Sequence, residues 1–349
     1  MTAAVGPARF PLPPGRAADA PPERRGTPRD GVRLLRAAPG RLTHHRFRDL
    51  PDLLDPGDLL VVNTSGTLPA ALPGRRTGGD PLPVHVAGAL EDGAWVVEPR
   101  RPDGSGPAGD VAAGDRLTLP GPVHLDLVAP YPAPTGSGVP RLWRAIPHPV
   151  VDLVGYLRRH GRPIRYGYLS GDFPLSDYQT IFARQPGSAE MPSAGRPFTP
   201  EVLVRCAVRG VVVAPVLLHT GVSSPEWAEP PAPERFAVPP ATARLVTATR
   251  AAGARVVAVG TTVVRALESA VVDGAVRPRA GWTELVLGPE RPAHVVSGLV
   301  TGLHTPEASH LRLLDAVAGP ALVDAAYAAA LAGDYRWHEF GDAMLFLPA

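Results

Sequence analysis

The sequence predicts an α/β protein in which a mixed-sheet α/β domain carries an inserted small β-barrel domain, and three observations predict it. Beyond residue 150, apolar strand runs alternate with helical patterns, an order that favours a largely parallel or mixed sheet. Between about 73 and 149, short alternating runs follow one another with no helix between them, which suggests a small barrel. The run Asp58 to Asn63 (DLLVVN) precedes that all-β stretch yet resembles the later buried strands, so the barrel interrupts the α/β domain. The expected division is an arm at 1–28, the α/β domain with the active site at 29–72 and 150–349, and the barrel at 73–149.

The elements follow in order. Residues 1–28 are rich in Pro, Ala and Arg without periodicity and read as a mobile arm or as chain laid across the surface, with order expected from near Arg29. The turn Asp55-Pro56-Gly57 introduces the 58–63 strand. Barrel strands are expected at 83–90, 94–100, 116–120, 123–131 and 141–146, separated by Gly/Pro/Asp clusters. Thr199-Pro200-Glu201 opens a helix, Thr capping and Pro occupying the first helical position, and the apolar run 211–218 follows it. Strand 255–259 with helix 262–271, strands near 283–287 and 295–301, and a helix at 306–318 complete the layer.

Composition excludes several chemistries. All 35 basic residues are arginine, so lysine Schiff bases and phosphate-loop lysines are out. The one cysteine, Cys206, permits no disulfide framework or multi-cysteine zinc site and falls in an apolar helical pattern, where it reads as a small core residue. No HExxH or clustered Cys/His spacing is present, so no metal is expected. No apolar run approaches the roughly 20 residues of a membrane span and no signal-peptide pattern opens the chain, so a cytoplasmic enzyme off the membrane is expected. A formal charge of +2 allows RNA binding without announcing it.

Ligands of open α/β sheets gather beyond strand carboxyl ends, and here those ends are polar: Asn63-Thr64-Ser65, His219-Thr220-Gly221, Gly260-Thr261-Thr262 and Gly302-Leu303-His304. Gly260 permits close backbone approach, and Thr261 and Thr262 are placed to cap the next helix and leave amides for an anion such as a carboxylate. Arg265 and Glu268, three apart on that helix, are expected to meet on one face. His219 and His304 are candidates for proton transfer because imidazole titrates near neutral pH. His304 and His310, six apart, do not share a helical face. The GxGxxG at Gly104–Gly109 lies in a Pro/Gly/Asp loop with no helix to follow and reads as a flexible loop, against a dinucleotide-binding enzyme. Asp342, beside Gly341 and just before a short apolar strand, is the remaining candidate.

Five collinear segments resemble the S-adenosylmethionine:tRNA ribosyltransferase-isomerase family of queuosine biosynthesis: DLLVVN at 58–63, YQTIFA at 178–183, VVAVGTTVVRALESA at 256–270, TGLHTPEASHLRLLDAVAG at 301–319 and YRWHEFGDAML at 335–345. The resemblance implies an α/β domain with an inserted barrel. It also implies transfer of the ribosyl portion of S-adenosylmethionine to the aminomethyl group of a 7-deazaguanine in tRNA, giving epoxyqueuosine and releasing adenine and methionine. Proton removal next to the sulfonium and assistance to departing adenine are then required. The matching positions are His219, His304 and Glu268 as catalytic candidates and Gly221, Gly260, Thr261, Thr262, Arg265 and Asp342 around the co-substrate, with Glu234 a looser match.

Three segments depart from the family pattern. Where the family has N-D-T-R, this chain has Asn63-Thr64-Ser65-Gly66; its G-L-H-F-T is Gly195-Arg196-Pro197-Phe198-Thr199; its T-N-F-H-L-P is Thr301-Gly302-Leu303-His304-Thr305-Pro306. An acid, an arginine and a histidine are thereby lost. Beside the family reaction, two alternatives stand at this point: a paralogue that uses S-adenosylmethionine on a small-molecule acceptor, and a noncatalytic RNA-binding descendant.

Overall fold

Nine strands form one mixed sheet, in the order Arg279–Thr283, Glu234–Val238, Val212–Leu218, Leu59–Asn63, Val256–Val259, Gly298–Gly302, Ala343–Phe346, Arg33–Ala38 and Arg41–Arg46. The computed structural model describes residues 9–133, 140–222 and 232–348. The four strands from Val212–Leu218 to Gly298–Gly302 are parallel. Their flanking neighbours Glu234–Val238 and Ala343–Phe346 run antiparallel to them. All five residues of Leu59–Asn63 are buried because the sheet is covered on both faces. Leu59 and Val61 pack into one core, Leu60 and Val62 into the other, which is why the run is continuously apolar rather than alternating.

Helices α1 (Leu153–His160), α2 (Pro200–Val208), α3 (Pro240–Ala251), α4 (Thr261–Ser269), α5 (His310–Ala318) and α6 (Pro320–Ala332) follow in chain order. Apolar residues of α3, α4, α5 and α6 fill the first core; those of α2, with the short 3-10 segment Phe47–Leu53, fill the second. Thr199 caps α2 as expected, its hydroxyl accepting from the Val202 amide, and Cys206 is fully buried there. Two boundaries differ from the sequence reading. The strand expected at 283–287 lies at Arg279–Thr283, because Thr283 and Leu285 turn their carbonyls to Arg265 instead of to a neighbouring strand. The helix expected from 306 starts at His310, after a turn closed by the Ala308 amide on the Thr305 carbonyl.

Residues 71–148 supply all seven strands of a second, antiparallel sheet, and the five expected runs fall on Val84–Ala89, Trp95–Pro99, Arg116–Thr118, His124–Pro130 and Trp143–His148. This sheet curls around its own apolar core but is a half-barrel. Among the described residues no ladder joins its edge strands Ala71–Leu72 and Arg75–Arg76. Pro73, Pro81 and Pro83 offer no amide donors along that seam. Order also begins earlier than Arg29. Arg9 forks onto Asp315 at 2.8 and 2.9 Å, Ala18 is buried, and the Ala18 and Trp337 amides exchange hydrogen bonds with Trp337 and Arg16 carbonyls. Residues 1–8 of the expected arm lie outside the described residues.

Candidate active site

Sheet direction brings one edge together. The carboxyl ends of the four parallel strands deliver Asn63, His219, Gly260 and Gly302, and the antiparallel neighbours bring Glu234 and Asp342 to the same edge by their amino ends. Asn63 pins this edge. Its Oδ1 accepts from the Leu218 and Ser65 amides, and its Nδ2 donates to the Leu218 carbonyl at 2.8 Å and to Thr262 Oγ1 at 3.3 Å.

His219 is held by a chain of hydroxyls. The Thr220 amide donates to Ser188 Oγ at 3.0 Å, Ser188 Oγ lies 2.6 Å from Ser65 Oγ, and Ser65 Oγ lies 2.7 Å from His219 Nδ1. Among the described residues, one proton arrangement gives every hydroxyl hydrogen an acceptor: Ser188 donates to Ser65 and Ser65 donates to Nδ1. His219 is thereby assigned the tautomer with its hydrogen on Nε2. Burial, with Arg235 adding to it, lowers the imidazole to about 4, so the ring is neutral at physiological pH and offers an N–H. Gly187 lies flat against the ring; a Cβ there would come within 2.4 Å of it.

The loop after His219 is tied to α4. Gly221 donates its amide to Glu234 Oε1 at 3.0 Å, and Glu234 Oε2 pairs with Arg265. Arg265 also donates to the carbonyls of Leu285 and Thr283. Burial pushes the Glu234 carboxyl up and Arg265 offsets this in part. The Arg265–Glu268 pair expected along the helix does not form. Glu268 instead accepts from the amides of His294, Val295 and Val296 at 2.9–3.1 Å, leaving its carboxylate committed to that loop.

At the start of α4, Gly260 has φ +97°, a backbone few other residues adopt, and a Cβ there would meet Ala194 at 3.4 Å. No side chain caps this helix, contrary to the sequence expectation, because Thr262 Oγ1 is turned to Asn63. The amides of Thr261 and Thr262 have no hydrogen-bond partner among the described residues and face outward with the positive end of the helix dipole.

At the other end of the edge, His304 Nε2 lies 3.1 Å from Thr301 Oγ1, and its backbone is fixed by the Tyr327 hydroxyl and the Trp337 indole. His304 and His310, not on one helix, nevertheless stack with centroids 4.5 Å apart at 2°. Burial holds His304 well below the usual imidazole range, and His310 and His338 repel a proton there too. Asp342 accepts from the Arg33 and Arg336 amides at 2.7 and 2.8 Å, and burial raises its carboxyl.

A narrow cleft with about 10 Å³ of free volume lies beside Asp342, lined by Arg29, Ser193, Ala194, Arg196, Gly302 and residues 338–343 among others. Ala194 joins it to the Gly260 turn. Sequence reading passed over Arg196, which is almost fully buried, pairs with Glu23 of the arm at 3.0 Å and lies over Phe340 at 5.0 Å. It also passed over Glu339 and over Ser188, whose contact with Ser65 spans 123 residues of chain.

A sequence profile of the queuosine biosynthesis protein family matches residues 7–346. The S-adenosylmethionine:tRNA ribosyltransferase-isomerase of Anaeromyxobacter sp. (strain K) is 40% identical, the match covering 97% of each chain. The enzyme of that name from Thermus thermophilus is 39% identical, over 92% of this chain and 94% of its own. The crystal structure of S-adenosylmethionine tRNA ribosyltransferase from Thermotoga maritima superposes with a TM-score of 0.54 at 30% identity, covering 97% of this chain and 99% of that one. With the fold, the strand-end edge and the profile agreeing from arm to last strand, the chain belongs to the queuosine biosynthesis protein family.

Proposed function

We propose that this protein is an S-adenosylmethionine:tRNA ribosyltransferase-isomerase, transferring the ribosyl portion of S-adenosylmethionine to the aminomethyl group of a 7-deazaguanine in tRNA, with adenine and methionine leaving and epoxyqueuosine formed. One observation carries this reading: identity of 40% with an enzyme of that name extends over 97% of both chains. It favours the family reaction over a paralogue with a small-molecule acceptor or an RNA-binding descendant, despite the changed residues at 63–66, 195–199 and 301–306.

The strand-end edge suits the chemistry. The unpartnered amides of Thr261 and Thr262 suit the co-substrate's carboxylate, and Gly260, Gly221, Arg265 and Asp342 shape the backbone around it. Neutral His219 offers Nε2–H to the departing adenine, and neutral His304 walls the opposite end. Glu268 holds the 294–296 loop in place. No metal enters this scheme. Residues 73–149 act as an inserted domain beside the α/β domain of 29–72 and 150–349, and the enzyme works in the cytoplasm on tRNA.

The test is incubation of the purified chain with S-adenosylmethionine, with and without tRNA bearing the aminomethyl deazaguanine, reading adenine and methionine by mass spectrometry. tRNA-dependent release of both is expected. Release without tRNA, or none with it, would return the small-molecule or noncatalytic reading.

A further inference from the structure

One carboxylate at the strand-end edge has a buried oxygen without a partner among the described residues. Glu339 lines the cleft beside Asp342, and its Oε2 is cut off from solvent with no hydrogen-bond partner among the described residues. A buried carboxyl oxygen without a partner costs stability unless something else requires it. The backbone leading to it is also costly: His338 sits at φ +72°, in the left-handed region that a non-glycine residue adopts rarely. That conformation is held rather than relaxed. Its ring stacks on Tyr168 at 4.2 Å and 12°, and its amide donates to the Leu303 carbonyl. Strain and an unsatisfied buried acid on adjacent residues mark functional sites.

We infer that Glu339 is the base that removes the proton from the carbon next to the sulfonium of S-adenosylmethionine. This rests on the transferase reading above and assigns the one step left without a residue there. The proton passes from that carbon to Glu339 Oε2, the carboxylate becomes a carboxylic acid, and the electron pair stays on carbon as a sulfonium ylide. The geometry favours Glu339 over the other titratable groups. Glu268 and Asp342 spend their oxygens on backbone amides, and His219 spends Nδ1 on Ser65. The cleft that Glu339 lines is also bordered by Ala194, which packs against the Gly260 turn at the start of α4.

Its titration agrees. Burial raises Glu339 to about 7, near the optimum for a base at cellular pH. Of the other titratable groups lining this cleft, His338 is lowered to about 4, and Asp342, which burial also raises, has both oxygens held by the Arg33 and Arg336 amides. A pH limb near 7 that Glu339→Gln abolishes therefore reports Glu339.

The experiment compares wild type, Glu339→Gln and Glu339→Asp. It measures tRNA-dependent adenine release from pH 5.5 to 9, S-adenosylmethionine binding by calorimetry, and melting temperature. Wild-type turnover is expected to rise through an apparent pKa near 7. Glu339→Gln should lose about 10²- to 10⁴-fold in turnover, the usual contribution of a general base. It should bind S-adenosylmethionine within a few-fold of wild type and melt a few degrees higher at pH 8, since it no longer buries a charge. Glu339→Asp should keep a weakened pH limb. A Glu339→Gln enzyme within threefold of wild type, or one that keeps the limb, overturns the assignment. Loss of turnover with equal loss of binding also overturns it, in favour of a role in holding the co-substrate. A wild type that releases no adenine at all instead sinks the transferase reading, and the base assignment with it.

Discussion

Hydrogen-bond accounting decides what His219 can do. A histidine past a buried strand is usually read as a base, but Nδ1 here accepts from Ser65, whose oxygen is in turn engaged by Ser188. The neutral ring is left as a donor. Ser65→Ala removes the group that fixes the tautomer, at a cost of about 1 kcal/mol for a hydrogen bond of this kind, so turnover should fall about fivefold. The decisive readout is the pair of imidazole ¹⁵N shifts. Wild type should show hydrogen on Nε2, Ser65→Ala a mixture of tautomers, and Ser65→Thr a return to Nε2. Hydrogen on Nδ1 in the wild type would reverse the roles drawn for this residue. Sequence reading found His219 from its place at a strand end, whereas its tautomer depends on Ser188, which the parallel pairing of Gln185–Ser188 with Ser65–Thr67 brings alongside.

The register of whole segments explains which other features were legible. Strands reveal themselves through their own residues, so Leu59–Asn63, Val212–Leu218 and the five barrel runs lie close to where alternation and apolar continuity put them. Pairings across elements carry no such local signal. Arg265 and Glu268 have the right spacing to meet, yet α4 uses them in opposite directions, Arg265 toward Glu234 and Glu268 toward the 294–296 amides. The Glu234–Arg265 pair, with side chains 12% and 6% exposed, locks the His219 loop to α4. Removing one member leaves a buried uncompensated charge, so Arg265→Met should destabilise the fold by about 3–5 kcal/mol in urea unfolding. Replacing both, as Arg265→Met with Glu234→Leu, should recover most of that loss, because an apolar pair needs no desolvation. A double variant no more stable than the single one would mean that the Leu285 and Thr283 carbonyls, rather than Glu234, are what Arg265 serves. Either variant should depress turnover through the displaced loop.

The arm and the acid response belong to the entire chain. Pro/Ala/Arg-rich sequence predicts little order, yet residues 9–31 lie across the edge and brace the 336–342 loop, Arg25 donating to the Phe340 carbonyl at 2.7 Å from 315 residues away. Contacts so distant are invisible to local patterning. The fold buries several histidines: His219, His310 and His338 are each lowered to about 4 by burial, His85 in the second sheet to about 3, and His304 lies lower than its ordinary range as well. An unfolded histidine titrates near 6.5, so between that value and about 4 the unfolded chain binds more protons than the native one. Each such histidine therefore makes stability rise with pH across this window, by at most about 1.4 kcal/mol per pH unit, and its contribution is complete above 6.5. Glu339 works the opposite way, since a carboxyl raised to about 7 binds its proton more tightly in the native state and lowers stability as pH rises from about 4.5 to 7. Asp342 and Glu234 are raised too and oppose the histidines in the same sense. Five lowered imidazoles against four raised carboxyls, Asp315 being the fourth, leave the histidines dominant. The melting temperature should fall steeply from pH 6.5 to 4.5. Because His310 and His338 both repel a proton on His304, the near-ultraviolet signal of Trp337, bonded to the His304 carbonyl, should be lost early in the transition. A melting temperature flat between pH 7 and 5 would mean that these rings gain protons without disturbing the packing that buries them.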